Sequence, residues 1–408
     1  MCCTNFIQMK KICIFVLNLV LTLSIHSVSG QNNPKQIDSL TFCKRGDIFL
    51  ANYQFEKAIE SLTLCYRQDI QNIEYLKKIA LCYSNMGQLK KAKTTYLEIL
   101  KIDSNNILSL NQLGVSYLKE SNYKQSLLQY IKLEDLDPLN SYYQKRIAKL
   151  SFKFGEIENS ILHYKKAHKL NPKDIDVIIE LSQIYQNLKL YSEADNLINK
   201  GRFLDSANTK LILSQVKSAY KQKLYSSVIL GINQILKTTK DSSTYLLTLF
   251  GVSSFHTGDY HNTIASLEKV IENKQESEIA DYYLGLAYRS IGNGEKSIYH
   301  FERAINESIS DNISTYYTNL AVTFEEQGMY AKSIKAYQTS YKSSKDKILL
   351  YHLARNYDMY YKNKKTAILY YERYLATDDS ANIQFKDYSK YRISELKTVM
   401  HFNIDTVE

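Results

Sequence analysis

Apolar residues along this chain fall into short stripes of helical spacing, two stripes at a time. Between Ile107 and Asn140, Leu110, Leu113 and Tyr117 sit at i, i+3 and i+7, on one face of a helix. A second stripe follows with Tyr123, Tyr130 and Leu133, and Pro138 ends it because proline cannot continue a helix. Gly114 and Ser126 stand where the two helices must approach closely. A bulky residue at either place would cost about 1–3 kcal/mol by overpacking. The pattern predicts an all-α chain of helical hairpins.

The same pattern returns every 34 residues, with segment starts at Ser39, Ile73, Ile107, Ser141, Ile175 and Thr209 and no insertion or deletion. Ile79, Ala80, Tyr83, Gly87, Ala92 and Tyr96 hold the equivalent offsets in the second unit. Gly155, Ser160, Tyr164, Ala167 and Pro172 hold them in the fourth, and Leu181, Tyr185, Tyr191 and Ala194 in the fifth. Glycine near offset 15 makes the tight turn between the helices. Beyond residue 243 the beat slips, with units starting near Thr244, Glu278 and Ser314, and Leu353, Ala354, Tyr357, Ala367 and Tyr371 marking a tenth. The sixth unit is the weakest, with Val216 and Val228 where small residues belong, so any bend of the array is expected between Thr209 and Thr244. The expected organisation is units one to six over 39–242, units seven to ten over 243–379, and a capping helix and tail over 380–408. The cap itself is expected to run roughly from Ile383 to Met400, since a stack of repeats needs its open end covered.

The N-terminus follows a different logic. Lys10 and Lys11 precede an apolar run from Ile12 to Ile25, and Ser27, Ser29 and Gly30 precede Gln31. That order is expected of a secretory signal over residues 1–30, cleaved near Gly30–Gln31, with 31–38 a disordered lead. The run is shorter than the ~20 residues that span a bilayer. No later segment is apolar enough either, so no transmembrane span is expected after cleavage. Removing the signal takes two lysines and no acid, leaving 50 basic against 42 acidic residues. A basic surface meets acidic partners, and export makes nucleic acid the least suitable of them. Cys43, Cys65 and Cys82 remain. Their odd number and the lack of a Cys-x-x-Cys pair indicate neither a full disulfide framework nor a zinc site. They read as small apolar packing residues, with one bridge among the three left open by an oxidising compartment.

A period of 34 with aromatic and small residues at set offsets resembles the tetratricopeptide repeat over nearly all of the chain after its leader. The resemblance implies an α-solenoid of about ten hairpins with a C-terminal capping helix, an exported bacterial protein of the repeat-array kind. It also implies that unit positions 2, 5, 6, 9, 12 and 13 of the first helices face a binding groove. Those positions hold Lys77, Lys78, Asn111, Gln112 and Lys119, then Tyr142, Lys145, Arg146, Lys149 and Lys153, and later Lys210, Lys217, Tyr220 and Lys221. Tyr245, Phe255, Tyr282 and Tyr351 are interleaved, and Glu325 and Glu326 mark a less basic end. Some relatives clamp a terminal carboxylate with five residues, of which only Lys77 and Arg146 match here, while Leu81, Gln112 and Tyr142 depart from the pattern. The candidate groove is therefore a broader one, led by Lys77, Asn111, Lys119, Tyr142, Lys145, Arg146, Lys149, Lys217 and Tyr220, for an acidic protein or peptide.

Catalytic motifs are missing. Ile-Gly-Asn-Gly-Glu-Lys-Ser at 291–297 imitates a phosphate loop, but Glu295 intrudes before Lys296 and Ser290 replaces the upstream glycine. It reads as a hairpin turn. His163/His168 and His256/His261 lack the i, i+4 spacing of metal ligands on a helix, and no G-x-S-x-G is present. Asp205-Ser206-Ala207 and three similar triplets, at 38–40, 379–381 and 405–407, resemble acceptors of bacterial O-glycosylation and read as helix caps. The expected function is a non-enzymatic scaffold without cofactor or metal, holding partner proteins in a periplasmic or envelope complex. The alternative is a sensor or adaptor acting through a separate output protein.

Overall fold

A polar residue recurs at the end of each 34-residue unit and starts the helix that follows. The side chains of Asn72, Asn106, Asn140, Asp174 and Asn208 accept backbone N–H bonds from Glu74, Ser109, Tyr142, Val177 and Lys210, at 3.1–3.2 Å. Such a cap satisfies amides that have no partner inside the helix and contributes about 0.5–2 kcal/mol. Three residues earlier, Asp103, Asp137 and Asp205 each accept from the capping asparagine's amide at 3.0 Å. This Asp-x-x-Asn rung was not among the expected offsets. It also places Asp205 as a cap, with its Oδ1 accepting from Ala207 N at 3.2 Å.

In the computed structural model, residues 39–239, 243–273, 277–308, 311–377 and 382–404 are described. The expected signal over 1–30, the lead over 31–38 and the triplets at 379–381 and 405–407 fall outside them. All regular structure among the described residues is helical, 21 helices in paired hairpins. Two compact units divide at Leu150/Ser151.

The first unit holds the pairs Ser39–Ala51 with Phe55–Gln68, Ile73–Asn85 with Leu89–Ile102, and Ile107–Lys119 with Tyr123–Leu136. The helix Ser141–Lys153 follows. A hydrophobic core runs through Leu62, Ile79, Ala92 and Leu113, and a second gathers Leu110, Tyr130, Leu133 and Ile147. A Cβ on Gly114 would lie 3.0 Å from the Tyr130 ring, so this glycine allows the hairpin to close. Ser126 has a role beyond being small, because its hydroxyl donates to the Gly114 carbonyl at 2.8 Å. Cys43 and Cys65 form a disulfide across the first hairpin, with Cα atoms 5.7 Å apart. The packing reading of the cysteines therefore holds only for Cys82, which is buried and whose thiol burial pushes up.

The second unit continues through Ile157–Leu170 and pairs Ile175–Asn187 with Tyr191–Leu204, Thr209–Lys221 with Tyr225–Thr239, and Thr244–His256 with Tyr260–Glu272. Glu278–Ser290 with Gly294–Glu307, Ile313–Glu326 with Tyr330–Ser344, and Ile348–Tyr360 with Lys365–Leu375 complete it, before the final helix Ile383–Ile404. Thr263 and Ser333 repeat the hydroxyl bond of Ser126, to the carbonyls of Gly251 and Ala321 at 3.1 and 2.8 Å. The final helix lies on the last hairpin as a cap. Phe385 stacks on Tyr351 at 4.5 Å, Leu396 is buried, and Arg392 reaches Asp358 at 2.7 and 3.3 Å.

Turns inside the hairpins share one backbone conformation. The left-handed residue is glycine at Gly87, Gly155, Gly258, Gly292 and Gly328, but Tyr53, Ser121, Lys189 and Lys223 adopt it elsewhere. The next amide closes each turn, as from Leu190 N to Tyr185 O at 2.8 Å.

Candidate partner-binding faces

In the first unit, helix Ile73–Asn85 presents Lys77 and Lys78, and both are engaged. Lys77 pairs with Glu74 at 2.7 Å and Lys78 with Asp47 at 2.5 Å. On helix Ile107–Lys119, Asn111 is half-buried with its Oδ1 lacking a hydrogen bond, while Lys119 is exposed and forms no ion pair among the described residues. Arg146 lies over the Tyr142 ring at 4.9 Å, and Tyr142 meets Tyr130 edge to face at 6.1 Å. Burial, then the Tyr142 hydroxyl and its charge, pushes the Tyr130 phenol up, so it stays protonated. Lys145 is half-buried and Lys149 exposed, and neither is without a partner. The first unit thus gathers Tyr142 and Arg146 and sets Lys77 apart in its own ion pair.

In the second unit the first helices of neighbouring hairpins touch one another, Ile175–Asn187 with Thr209–Lys221, Thr244–His256 with Glu278–Ser290, and the latter with Ile313–Glu326. Between Ile175–Asn187 and Thr209–Lys221 lies a pocket of about 260 Å³ lined by Asp176, Ile179, Glu180, Lys210, Leu213 and Lys217. Its walls are tied by Gln186 Nε2 donating to Ser214 O and by the Ser182–Ser214 hydroxyl pair, both at 3.2 Å. Lys210 lies 3.8 Å from Asp176, and Lys221 donates to Asn187 at 2.8 Å. The groove residues expected from the sequence come from units two, three, four and six and from the later units, with none from unit five. The same offsets there yield Asp176 and Glu180, which make this face mixed in charge.

Further along, aromatic rings replace charges. Tyr220 meets Tyr225 at 6.3 Å, Tyr225 stacks on His256 at 4.2 Å, and His256 Nε2 lies 3.2 Å from Tyr283 Oη. Tyr283 meets Tyr282 at 5.3 Å and Tyr282 meets Tyr316 at 4.8 Å. Burial pushes up the phenols of Tyr220, Tyr282 and Tyr283, and pushes His256 down with help from Lys223. Lys217 sits 5.9 Å over the Tyr245 ring. Tyr283 occupies offset 6 and could have been read from the groove rule. Tyr225 opens a second helix, and no offset rule pointed to it.

Beneath this row, Asp281 is fully buried at an offset filled by Leu76, Leu110, Ile178 and Ile212 in other units. His300 Nδ1 lies 2.6 Å and Arg303 Nη2 3.3 Å from its carboxylate, and Arg303 donates to Glu307 at 3.0 Å. Burial raises the Glu307 carboxyl above its ordinary range. Glu325, expected to mark an acidic end, is held by Arg355 at 3.2 Å, Asn356 at 2.9 Å and the Tyr337 hydroxyl at 3.2 Å. The phosphate-loop imitation is a turn with Gly292 left-handed and Asn293 capping the next helix through Lys296 N at 3.1 Å. Among the described residues, no group of three or more His, Cys, Asp or Glu could hold a metal ion.

Residues 73–106 and 314–347, one segment in each compact unit, match the family model of the tetratricopeptide repeat. No curated protein matches the chain. Among solved structures, a tetratricopeptide repeat protein from Parabacteroides merdae is 16% identical with a TM-score of 0.38, the match covering 70% of this chain and 98% of that one. The Cut9–Hcn1 hetero-tetramer of the APC/C is 15% identical with a TM-score of 0.44, covering 93% and 81%. YrrB, described as a TPR protein with an unusual peptide-binding site, is 14% identical with a TM-score of 0.41, covering 47% and 97%.

Proposed function

We propose that the chain is an exported, non-enzymatic scaffold that holds protein or peptide partners against the first helices of its hairpins, in a periplasmic or envelope complex. The observation that carries this reading is the row of half-buried and exposed rings from Tyr220 to Tyr282, contributed by three neighbouring first helices and, at Tyr225, by a second helix. Rings and unmatched cations set side by side along several helices suit an elongated partner. A small substrate would call instead for one concave site with a few convergent polar groups. The repeat match in each unit supports the same reading. Export is supported by the order of residues 1–30 and by the Cys43–Cys65 bridge, since disulfides persist in oxidising compartments.

A photo-cross-linking side chain placed at Tyr245 or Lys119 in the native cell should capture discrete proteins. Migration of the chain alone in every irradiated sample would overturn the scaffold reading. Fractionation with N-terminal sequencing should find the chain outside the cytoplasm and starting at Gln31. A cytoplasmic chain that retains residues 1–30 would overturn export.

A further inference from the structure

We propose that the aromatic row of the second unit is a docking site for an extended acidic peptide segment whose apolar side chains alternate with carboxylates. The proposal rests on the partner-binding reading and adds the place and the chemistry.

Geometry comes first. Tyr220, Tyr225, His256, Tyr283, Tyr282 and Tyr316 form an unbroken chain of ring contacts, with the Tyr225–His256 and Tyr282–Tyr316 pairs under 5 Å. The row crosses helices Thr209–Lys221, Tyr225–Thr239, Thr244–His256 and Glu278–Ser290 and ends on the buried Tyr316 of Ile313–Glu326, instead of following any one of them. Residues i and i+2 of an extended chain lie about 6.8 Å apart on one face, wider than the 4.2–6.3 Å between successive rings, so the apolar side chains of such a chain can lie along the row without a ring for each. The row is also held in place from below. Phe255 packs on Tyr283 at 5.4 Å, and Tyr282 rests on Phe301 at 6.0 Å. A platform fixed before binding loses little entropy when a partner arrives.

Charge then selects the partner. The ionic groups that act on His256 and Tyr282 are cations, Lys223 and Arg289 respectively. Arg289 is oriented by Asn319, at 3.1 and 3.3 Å. Lys217 and Lys223 make no ion pair among the described residues. The nearby carboxylates are engaged, Glu278 by the Tyr316 hydroxyl at 2.5 Å and Asp281 by His300 and Arg303 in the interior. Tyr220 and Tyr282 keep their phenols protonated and offer O–H donors, while the Tyr283 hydroxyl is paired with His256 Nε2 at 3.2 Å. Donors and cations beside rings complement an acceptor-rich, negatively charged segment with apolar side chains, and they repel a basic one.

The test uses the full chain without its leader and three fluorescein-labelled twelve-residue peptides. One alternates Glu with Leu and Phe, and the others carry Gln or Lys in place of Glu. Fluorescence anisotropy should show the Glu peptide binding at least tenfold more tightly than the Gln peptide, with affinity falling as salt rises, and no binding of the Lys peptide. The paired change Lys217→Glu and Lys223→Glu, on the rim and outside the core, should weaken the Glu peptide at least tenfold. Tyr220→Phe with Tyr282→Phe keeps the rings and should cost several-fold, with an unchanged far-ultraviolet circular dichroism spectrum confirming the fold. Equal binding of the three peptides, or binding of none, overturns the proposal. So does binding that is lost with Lys119→Glu and Arg146→Glu but survives the rim changes. In each of those cases the partner-binding reading still stands or falls on the cellular cross-links.

Discussion

The two compact units present their first helices in different ways. In the first, two of the cations expected to face a ligand are matched locally, Lys77 by Glu74 and Lys78 by Asp47, and Lys119, which has no ion pair among the described residues, is exposed. Such exposed pairs contribute only about 0–1 kcal/mol each, yet they occupy the charge. In the second, the row from Tyr220 to Tyr282 packs ring on ring, while Lys217 and Lys223 beside it have no ion pair among the described residues. Net positive charge is thus a poor guide to a recognition face. What counts is charge left unmatched next to apolar surface that stays accessible.

The contrast extends to what holds each unit together, and that can be tested unit by unit. The largest effect is expected from Asp281→Ala, which leaves His300 and Arg303 without their buried acid and should cost about 3–5 kcal/mol. Hydrogen exchange should accelerate around 278–307 and leave the first unit protected; uniform acceleration of both units would show that they do not unfold separately. Next comes Cys65→Ser, which opens a bridge between residues 22 apart and should cost the first hairpin about 3 kcal/mol by freeing the unfolded chain. Thiol reductant should act likewise, and slow exchange in Ser39–Ala51 after reduction would contradict it.

Acidification should separate the units again, because residues 39–150 contain no histidine. Burial lowers the pKa of His168, His256 and His352 in the second unit, with Lys200 assisting at His168 and Lys223 at His256. Their unfolded counterparts take up protons near pH 6.5. The folded state therefore binds fewer protons as pH falls, and stability present above about 6.5 is lost on descent toward the folded values. Glu307, raised by burial, opposes this, since its contribution is present in acid and lost as pH rises through its folded value. Thermal melts between pH 7.5 and 5.5 should lower the second unit's midpoint alone, less so in His352→Gln. The smallest effects come from the turns. Ser121→Gly and Lys189→Gly, one in each unit, should each stabilise by about 0.5–1 kcal/mol, by removing a left-handed non-glycine residue. Chemical denaturation should show similar gains in both, and a loss at either would mean that its side chain makes an overriding contact.

Much of the fold could be read because it is written at fixed intervals. The 34-residue step lands on the first residue of the helices that begin at Ser39, Ile73, Ile107, Ser141, Ile175 and Thr209. Thr244 and Glu278 also begin helices, whereas Ser314 is one residue inside Ile313–Glu326 and the final helix runs past Met400 to Ile404. Offsets place a position on a face of its own helix. They do not say which side chains converge from different helices, and that is where the reading ran short. Tyr225 reaches His256 from a second helix, and Asp281 finds His300 and Arg303 across its own hairpin. The Cys43–Cys65 bridge was open for a similar reason, because three cysteines allow several pairings and only the folded hairpin brings two together. The Asp-x-x-Asn rung stands in the sequence at 103–106, 137–140 and 205–208, but only the second of these turns carries a proline, Pro138, to mark it.

Those rungs carry a consequence for how such a chain changes over generations. The junctions at 103–106, 137–140 and 205–208 are each closed by an aspartate and an asparagine that belong to one turn, and the asparagine starts the next helix without help from a distant residue. A duplication or excision of 34 residues between equivalent asparagines, such as Asn106 and Asn140, joins one intact turn to another and creates no new kind of junction. Length is therefore inheritable in whole steps, and a lineage can gain or shed a hairpin without redesigning the seams.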